Sequence, residues 1–345
     1  MRRFEPDRLK DRMVEQLTRR QVHPESVRHV VSALMETSLR GVDSHGIKLF
    51  PHYCRAVDCG RINKDPQFKI VSRYPSAGVL DADHSFGHHA GSEAMILAME
   101  MARQTGLGAV SVRNSTHFGA AAYYGLQASR KGYIAFAFTN ADSLVKAHGS
   151  NKPFFGTNPI CFTVPMRRED PLCLDMATSQ VSWNKIMNFR NQKERIPPDW
   201  GFTDEGQATP DPEAVRTLNP IGRYKGYGLG MMVEILCSLL AGGPYALQLI
   251  PMFTRLDEKR YISHFFMALD IRKFRSMESF QVDLEAMALQ ARSLPTLQGE
   301  ECVMVPGDPE KRTFQERTHQ GIPVDDSTYT DFLSISKDFA EAIQQ

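Results

Sequence analysis

No GxGxxG and no GxxxxGK[ST] occurs in the 345 residues, so neither familiar glycine cradle for nucleotide phosphates is present. The chain also lacks a CxxC pair, an HExxH helix and a GxSxG elbow, which removes the usual signatures of a structural zinc site, a zinc protease and a serine hydrolase. Its six cysteines (Cys54, Cys59, Cys161, Cys173, Cys237 and Cys302) are scattered, not a disulfide framework, and are read as free, mostly buried thiols. Charge of one sign is missing as well: Lys+Arg 41 against Asp+Glu 40 leaves +1, with no basic field for nucleic acid. No stretch reaches ~18 apolar residues, and MRRFEPDRLKDRMVEQL puts charges at helical intervals where a signal peptide needs an apolar run. The expectation is a soluble, cytoplasmic protein that binds neither nucleic acid nor membrane.

What is there is a long α/β pattern. At this length two lobes are expected. Leu9, Met13, Val14 and Leu17 share one helical face, and Val27, Val30, Val31 and Leu34 another, with Pro24 near the first turn. From Ala77 strands and helices alternate: AGVLDAD, a helix aligning Ala94, Leu97, Ala98 and Met101, GAVSVRN, a short helix over AAAYYGLQASRKG, and YIAFAFTN. Further strands are expected at PICFTVP, PLCLDMA and HFFMALD, and a helix from about Gln180. GLGMMVEILCSLLAG reads as a helix apolar on all sides and therefore buried. Five prolines between 188 and 220 predict a long ordered loop, either bordering a site or a plain surface excursion.

Four segments offer chemistry. In DSHG (43–46) small neighbours expose His45 as an acid/base, or the tetrapeptide merely caps a helix. NSTHFGAAAYY (114–124) sets His117 between strand and helix, where α/β proteins collect anions, or where a histidine simply caps. GTNP (156–159) and DMATS (175–179) are turn-rich segments beside strands, and KGYGLG (225–230) combines helix-start amides with a lysine. The DHSFGHH cluster (His84, His88, His89) and the His52, Cys54, Cys59 group lack the paired spacing of a metal centre, and no metal is expected.

Taken in order, DSHG, NSTHFG with YY, GTNP, DMATS, KGYGL, VEIL and the late VPGD resemble the malate/L-lactate dehydrogenase family, which includes ureidoglycolate and sulfolactate dehydrogenases, diketogulonate reductase and piperideine-2-carboxylate reductase. The resemblance covers nearly the whole chain. It implies a non-Rossmann α/β fold, with mixed sheets and flanking helices in two interleaved lobes: residues 1–120 with 290–345 for substrate and dimerisation, and 121–289 for NAD or NADP. It also implies a homodimer. His45 and His117 take the catalytic positions, and Ser44, Lys48 and Tyr53 the substrate side. His117, Asn140, Ala141, Thr157, Asn158, Asp175, Met176, Ala177, Thr178, Lys225, Gly226, Pro306, Gly307 and Asp308 match cofactor contacts.

The chain departs from the pattern where many relatives carry an arginine after SHG. Here Leu49 aligns, with Lys48 beside it, which puts the substrate in question. Ala147 and Ser150 also differ, as does Asn184 ahead of Lys185, where relatives often read GK. The implied reaction is hydride transfer between NAD(P) and a small 2-hydroxy or 2-oxo acid, with a histidine moving the hydroxyl proton. Reduction of a cyclic imine by the same donor, and a silent family member, are the alternatives.

Overall fold

A computed structural model describes residues 2–336. Its helices are α1 (Pro6–Arg19), α2 (Pro24–Leu39), α3 (Phe50–Asp58), α4 (Gly87–Thr105), α5 (Ala122–Ser129), α6 (Trp183–Gln192), α7 (Tyr224–Glu234), α8 (Met277–Arg292), α9 (Asp308–Gln320) and α10 (Asp326–Ile335). The strands are β1 (Arg2–Phe4), β2 (Lys69–Arg73), β3 (Ala77–Asp81), β4 (Leu107–Ser115), β5 (Tyr133–Thr139), β6 (Val145–Lys146), β7 (Pro153–Phe155), β8 (Ile160–Val164), β9 (Leu172–Met176), β10 (Gly201–Phe202), β11 (Thr217–Leu218), β12 (Ile262–Asp270) and β13 (Ile322–Val324). The expected α/β class with mixed sheets and flanking helices is what forms.

The α1 helix starts where Glu5 accepts hydrogen bonds from the Asp7 and Arg8 amides (3.1 and 2.8 Å) and Pro6 occupies a position that needs no N–H. Leu9, Met13 and Leu17 turn inward, whereas Val14 lies at the edge of that face and stays 37% exposed. They join Val27, Val30, Val31 and Leu34 of α2, Phe50 and Tyr53 of α3, and Phe332 of α10 in one apolar cluster. Both ends of the described chain meet there, because β1 pairs antiparallel with β13.

The main sheet runs β2-β3-β4-β12-β5-β8-β9, antiparallel except between β3 and β4. Alternation along β12 sends neighbouring side chains to opposite faces. Phe266 packs beneath α4 and α5 with Ala94, Ala98 and Tyr124, while Phe265 meets Val233 of α7 and Cys237. The second sheet, β10-β11-β6-β7, buries Val145 and Leu218 against Ile186 of α6. The proline-rich stretch 188–220 is indeed largely irregular, interrupted by the end of α6, two short strands and a 3-10 turn. The large sheet crosses the boundary expected at residue 120, with β2 to β4 before it and its other four strands after it.

The segment read as a buried helix differs. α7 runs on into a π-helical turn, Ile235–Leu239, and one side of it faces outward, with Leu239 53% and Leu240 55% exposed. Uniform apolarity carries no facial information, so periodicity could not separate the two sides. The inward side holds the segment's one charge, Glu234, which is 3% exposed and accepts from the Asn140 and Asn158 amides and the Ala246 N–H. No helix among the described residues is long and apolar enough to cross a membrane.

Three buried histidines set the acid limit of this fold. Desolvation holds His52, His88 and His264 at about 3, far below the usual imidazole value of 6.5. As pH falls through 6.5 the unfolded chain takes up protons that the native one refuses, so stability is intact above that value and declines below it. Each ring is expected to remove about 1.4 kcal/mol per pH unit inside the window. Calorimetry should find the melting temperature falling steeply below about pH 6, and a flat profile would mean that these rings protonate in place.

Candidate active site

The DSHG segment forms a 3-10 turn, Asp43–His45, after α2. Two long-range contacts hold it. The Asp43 carboxylate takes the Arg317 guanidinium of α9 (2.5 and 2.9 Å), and Ser38 Oγ accepts from the Ile47 N–H at 2.8 Å. A Cβ on Gly46 would stand 2.0 Å from that same Oγ, so the turn closes on α2 only because residue 46 has no side chain. His45 Nδ1 lies 2.8 Å from Ser44 Oγ, and the Ser44 carbonyl accepts from Asn184 Nδ2 at 3.2 Å.

His117 follows β4. Its Nδ1 accepts from the Gly119 N–H (3.3 Å) and lies 2.6 Å from the Tyr53 hydroxyl. A backbone amide can only donate, so Nδ1 carries the lone pair and the proton of the neutral ring resides on Nε2. Gly119 has φ +74°, and a Cβ there would meet His88 Nε2 at 2.8 Å. The rings of His45 and His117 stack with centroids 5.7 Å apart and planes 27° from parallel, although 72 residues of chain separate them. Both are part-buried. Desolvation pulls His45 down to about 4, and it pushes His117 well below the usual range, with repulsion from His45 and Arg260 adding to it.

A cleft of about 620 Å³ opens beside this pair. Its walls are the end of α2, His45, the Gly119–Ala120–Ala121–Ala122 backbone, the Cys173 to Ala177 strand end, and Met304 to Gly307 ahead of α9. The volume suits a cofactor-sized ligand. Small residues let such a ligand approach the backbone, and Gly307 (φ +95°) takes a turn that a side chain would strain, with its Cβ site 3.1 Å from the Cys173 amide. These residues fit a dinucleotide.

The family model described as "Malate/L-lactate dehydrogenase" matches residues 4–333. The chain belongs to the malate/L-lactate dehydrogenase family. It is 35% identical to "Malate dehydrogenase" of Pyrococcus abyssi over 333 residues, covering 93% of this chain and 91% of that one. It is 30% identical to "Ureidoglycolate dehydrogenase (NAD(+))" of Escherichia coli K12 over 305 residues, covering 88% and 87%. Among solved structures, malate dehydrogenase from Entamoeba histolytica superposes with a TM-score of 0.93 at 29% identity, covering 98% of each chain. The resemblance read from the ordered motifs is therefore the correct one.

Not every residue that the family pattern singles out reaches the cleft. His45, Ser44, Thr157, Asp175, Met176, Ala177, Pro306 and Gly307 line it, with His117 and Tyr53 linked to it through the stacked rings and the 2.6 Å contact. Asp175 accepts from the Ala122 amide at the start of α5 (2.8 Å). Lys48 instead reaches Asp325 (3.4 Å), Asp308 is clamped by Arg292, and Lys225 with Gly226 sits at the start of α7 outside the lining. Asn140, Ala141, Asn158 and Thr178 also stand behind the wall: both asparagine amides serve Glu234, the Ala141 N–H donates to Asn158, and Thr178 donates to the Thr157 carbonyl. Leu49, at the relatives' arginine position, is in the apolar core.

Sequence reading missed Arg317 and Glu234, because each acts on partners far away in the chain, and Ser38, whose partner Ile47 lies across a turn with no period to reveal it. The glycine of DSHG was the one local sign that something packs closely there. Gly46→Ala is expected to cost about 1–3 kcal/mol of stability through overpacking and to displace His45. Urea unfolding and turnover would both record it.

Proposed function

We propose that the protein is a nicotinamide-dependent oxidoreductase interconverting a small 2-hydroxy acid and its 2-oxo acid, with NAD or NADP as hydride carrier. The observation that carries this reading is the stacked imidazole pair beside the cleft. The two rings have complementary hydrogen-bonding duties. His45, with Nδ1 directed to Ser44 Oγ, can keep Nδ1–H and present a lone pair on Nε2. His117, with Nδ1 accepting from Gly119, presents Nε2–H. One nitrogen takes a proton while the other steadies an oxygen.

In the oxidation direction, His45 Nε2 removes the hydroxyl proton and His117 Nε2–H donates to the substrate oxygen that becomes a carbonyl. A nicotinamide held in the cleft supplies the acceptor for the C2 hydride. In reverse, the His45 imidazolium returns its proton to the forming alkoxide. Tyr53, whose hydroxyl is buried and far above its ordinary pKa, stays protonated and fixes the His117 ring. Burial of both rings keeps them neutral in the empty enzyme, which suits the base required for oxidation.

We further propose a homodimer formed not through the lobe of residues 1–120 with 290–345 that the resemblance implied, but through the outward side of α7 and the π-helical turn, where Met232, Ile235, Leu239 and Leu240 are exposed. Light scattering should report two chains per particle, and Leu239→Asp with Leu240→Asp should return a monomer.

His45→Ala and His117→Ala are each expected to lower turnover by ~10²–10⁴, the usual worth of acid/base assistance. The assay is fluorescence titration with NADH and NADPH followed by a panel of 2-hydroxy acids, 2-oxo acids and cyclic imines. Near-normal rates in both variants would refute the mechanism. The kcat/KM profile for oxidation should stay level through neutral pH and bend only near pH 4, where His45 gains its proton in the free enzyme.

A further inference from the structure

The DHSFGHH cluster divides in the folded chain. His84 turns edge-on to Tyr261 (4.8 Å between centroids), and His88 goes under Tyr53 (4.9 Å). His89 points the other way, toward α2, where it meets a histidine that no local spacing connects to it. We propose that His29, His89 and Glu93 form a binding site for a transition-metal ion of the zinc class on the seam between α2 and α4.

His89 and Glu93 are one helical turn apart on α4, and His29 faces them from α2. One potential ligand atom from each lies within 4.8 Å of the others, with His29 Nε2 3.7 Å from Glu93 Oε1. Zinc bonds of about 2.0–2.2 Å would bring such atoms to roughly 3.3 Å from one another, so closure asks for shifts of about an ångström. Two imidazoles with a carboxylate favour zinc and its first-row neighbours over calcium or magnesium, which take oxygen.

The lone pairs already face the seam. Arg28 Nη2 sits 2.9 Å from His29 Nε2 and 2.5 Å from Glu25 Oε2. A guanidinium only donates, so the Arg28 contact fits the tautomer with its lone pair on His29 Nε2, the form that binds a metal. A positive group thus already lies beside His29 Nε2. Arg28 is 58% exposed, so it can swing into water at little cost. Glu25, 4.0 Å from His29 Nε2, is then free to act as a fourth donor.

His89 is oriented as ligating histidines usually are. Its Nδ1 is 2.9 Å from Ser26 Oγ, and its ring packs on Phe68 (4.6 Å) and His29 (5.1 Å), which directs Nε2 away from Ser26. Glu93 and Glu25 are partly exposed, so the ion has a route in from solvent. The site is separate from the catalytic pair and does not depend on the dehydrogenase reading. Its effect would be to tie α2, which carries Ser38, to α4, which carries His88 behind Gly119.

The test uses the full chain stripped with a chelator and titrated with Co²⁺ in place of zinc. The expected result is the visible d–d absorption of low-coordinate cobalt, saturating at one ion per chain and bleached by Zn²⁺, with a rise in melting temperature. Glu93→Gln, which keeps size and needs no refolding of the seam, and His89→Ala should lose the signal. Ser26→Ala should weaken binding ~10–100-fold, as removal of an outer-shell partner does. Cys59→Ser combined with Cys302→Ser should leave it unchanged, which separates the seam from the accessible thiols. No absorption in the wild-type protein, or equal absorption and thermal shift in Glu93→Gln, overturns the proposal.

Discussion

Strand β12 is the constraint on which the architecture rests. It is the last strand of the main sheet in the sequence and the middle one in space, hydrogen-bonded to β4 on one side and β5 on the other. His264 marks the junction: buried and neutral, it reaches Thr139 Oγ1 with one nitrogen and Ser115 Oγ with the other, both at 2.8 Å, and stacks on Phe118 at 4.7 Å. Those contacts fix the carboxyl ends of β4 and β5 together. His117 emerges two residues beyond Ser115, and Asn140 directly after Thr139, so the placing of one ring of the stacked pair and of the Glu234 network both derive from this strand.

The other ring of the pair, His45, is held by different means. The turn that carries His45 has few local bonds and is fastened from outside by Arg317, Ser38 and Asn184, three residues from three separate helices. One imidazole thus belongs to the sheet and the other to the helical cluster built from both ends of the chain. Stacking between the rings is one of the points at which the two assemblies meet. Such an arrangement supplies precision without a covalent link, because each ring is oriented by hydrogen bonds on its own side and only the remaining nitrogen of each is left for a ligand.

Much of this was legible in the sequence. Strand periods of two and helix periods of 3.6 located the elements of the central sheet, and Pro24 marked a helix start as its backbone limits require. The ordered motifs identified the family. Local patterns failed where partners are distant or where composition is uniform. An all-apolar α7 does not reveal which side faces out, and the short strands β6, β7, β10 and β11 are too brief to show a period. Lys48 and Asp308 are sensible ligands by type, and each also has an opposite charge beside it, Asp325 and Arg292, a pairing no spacing rule contains.

The pairing of β1 with β13 bears on how the molecule is made. Strand β1 waits for a partner that is synthesised more than 300 residues later, and between them lies almost every other described element. Until then α1 and α2 have no finished surface to close against, since Phe332 and Ile322 belong to the same cluster. The helical half is therefore completed only once β13 and α10 have been made, and a chain stopped before them would carry an open apolar face that chaperones and proteases are suited to detect.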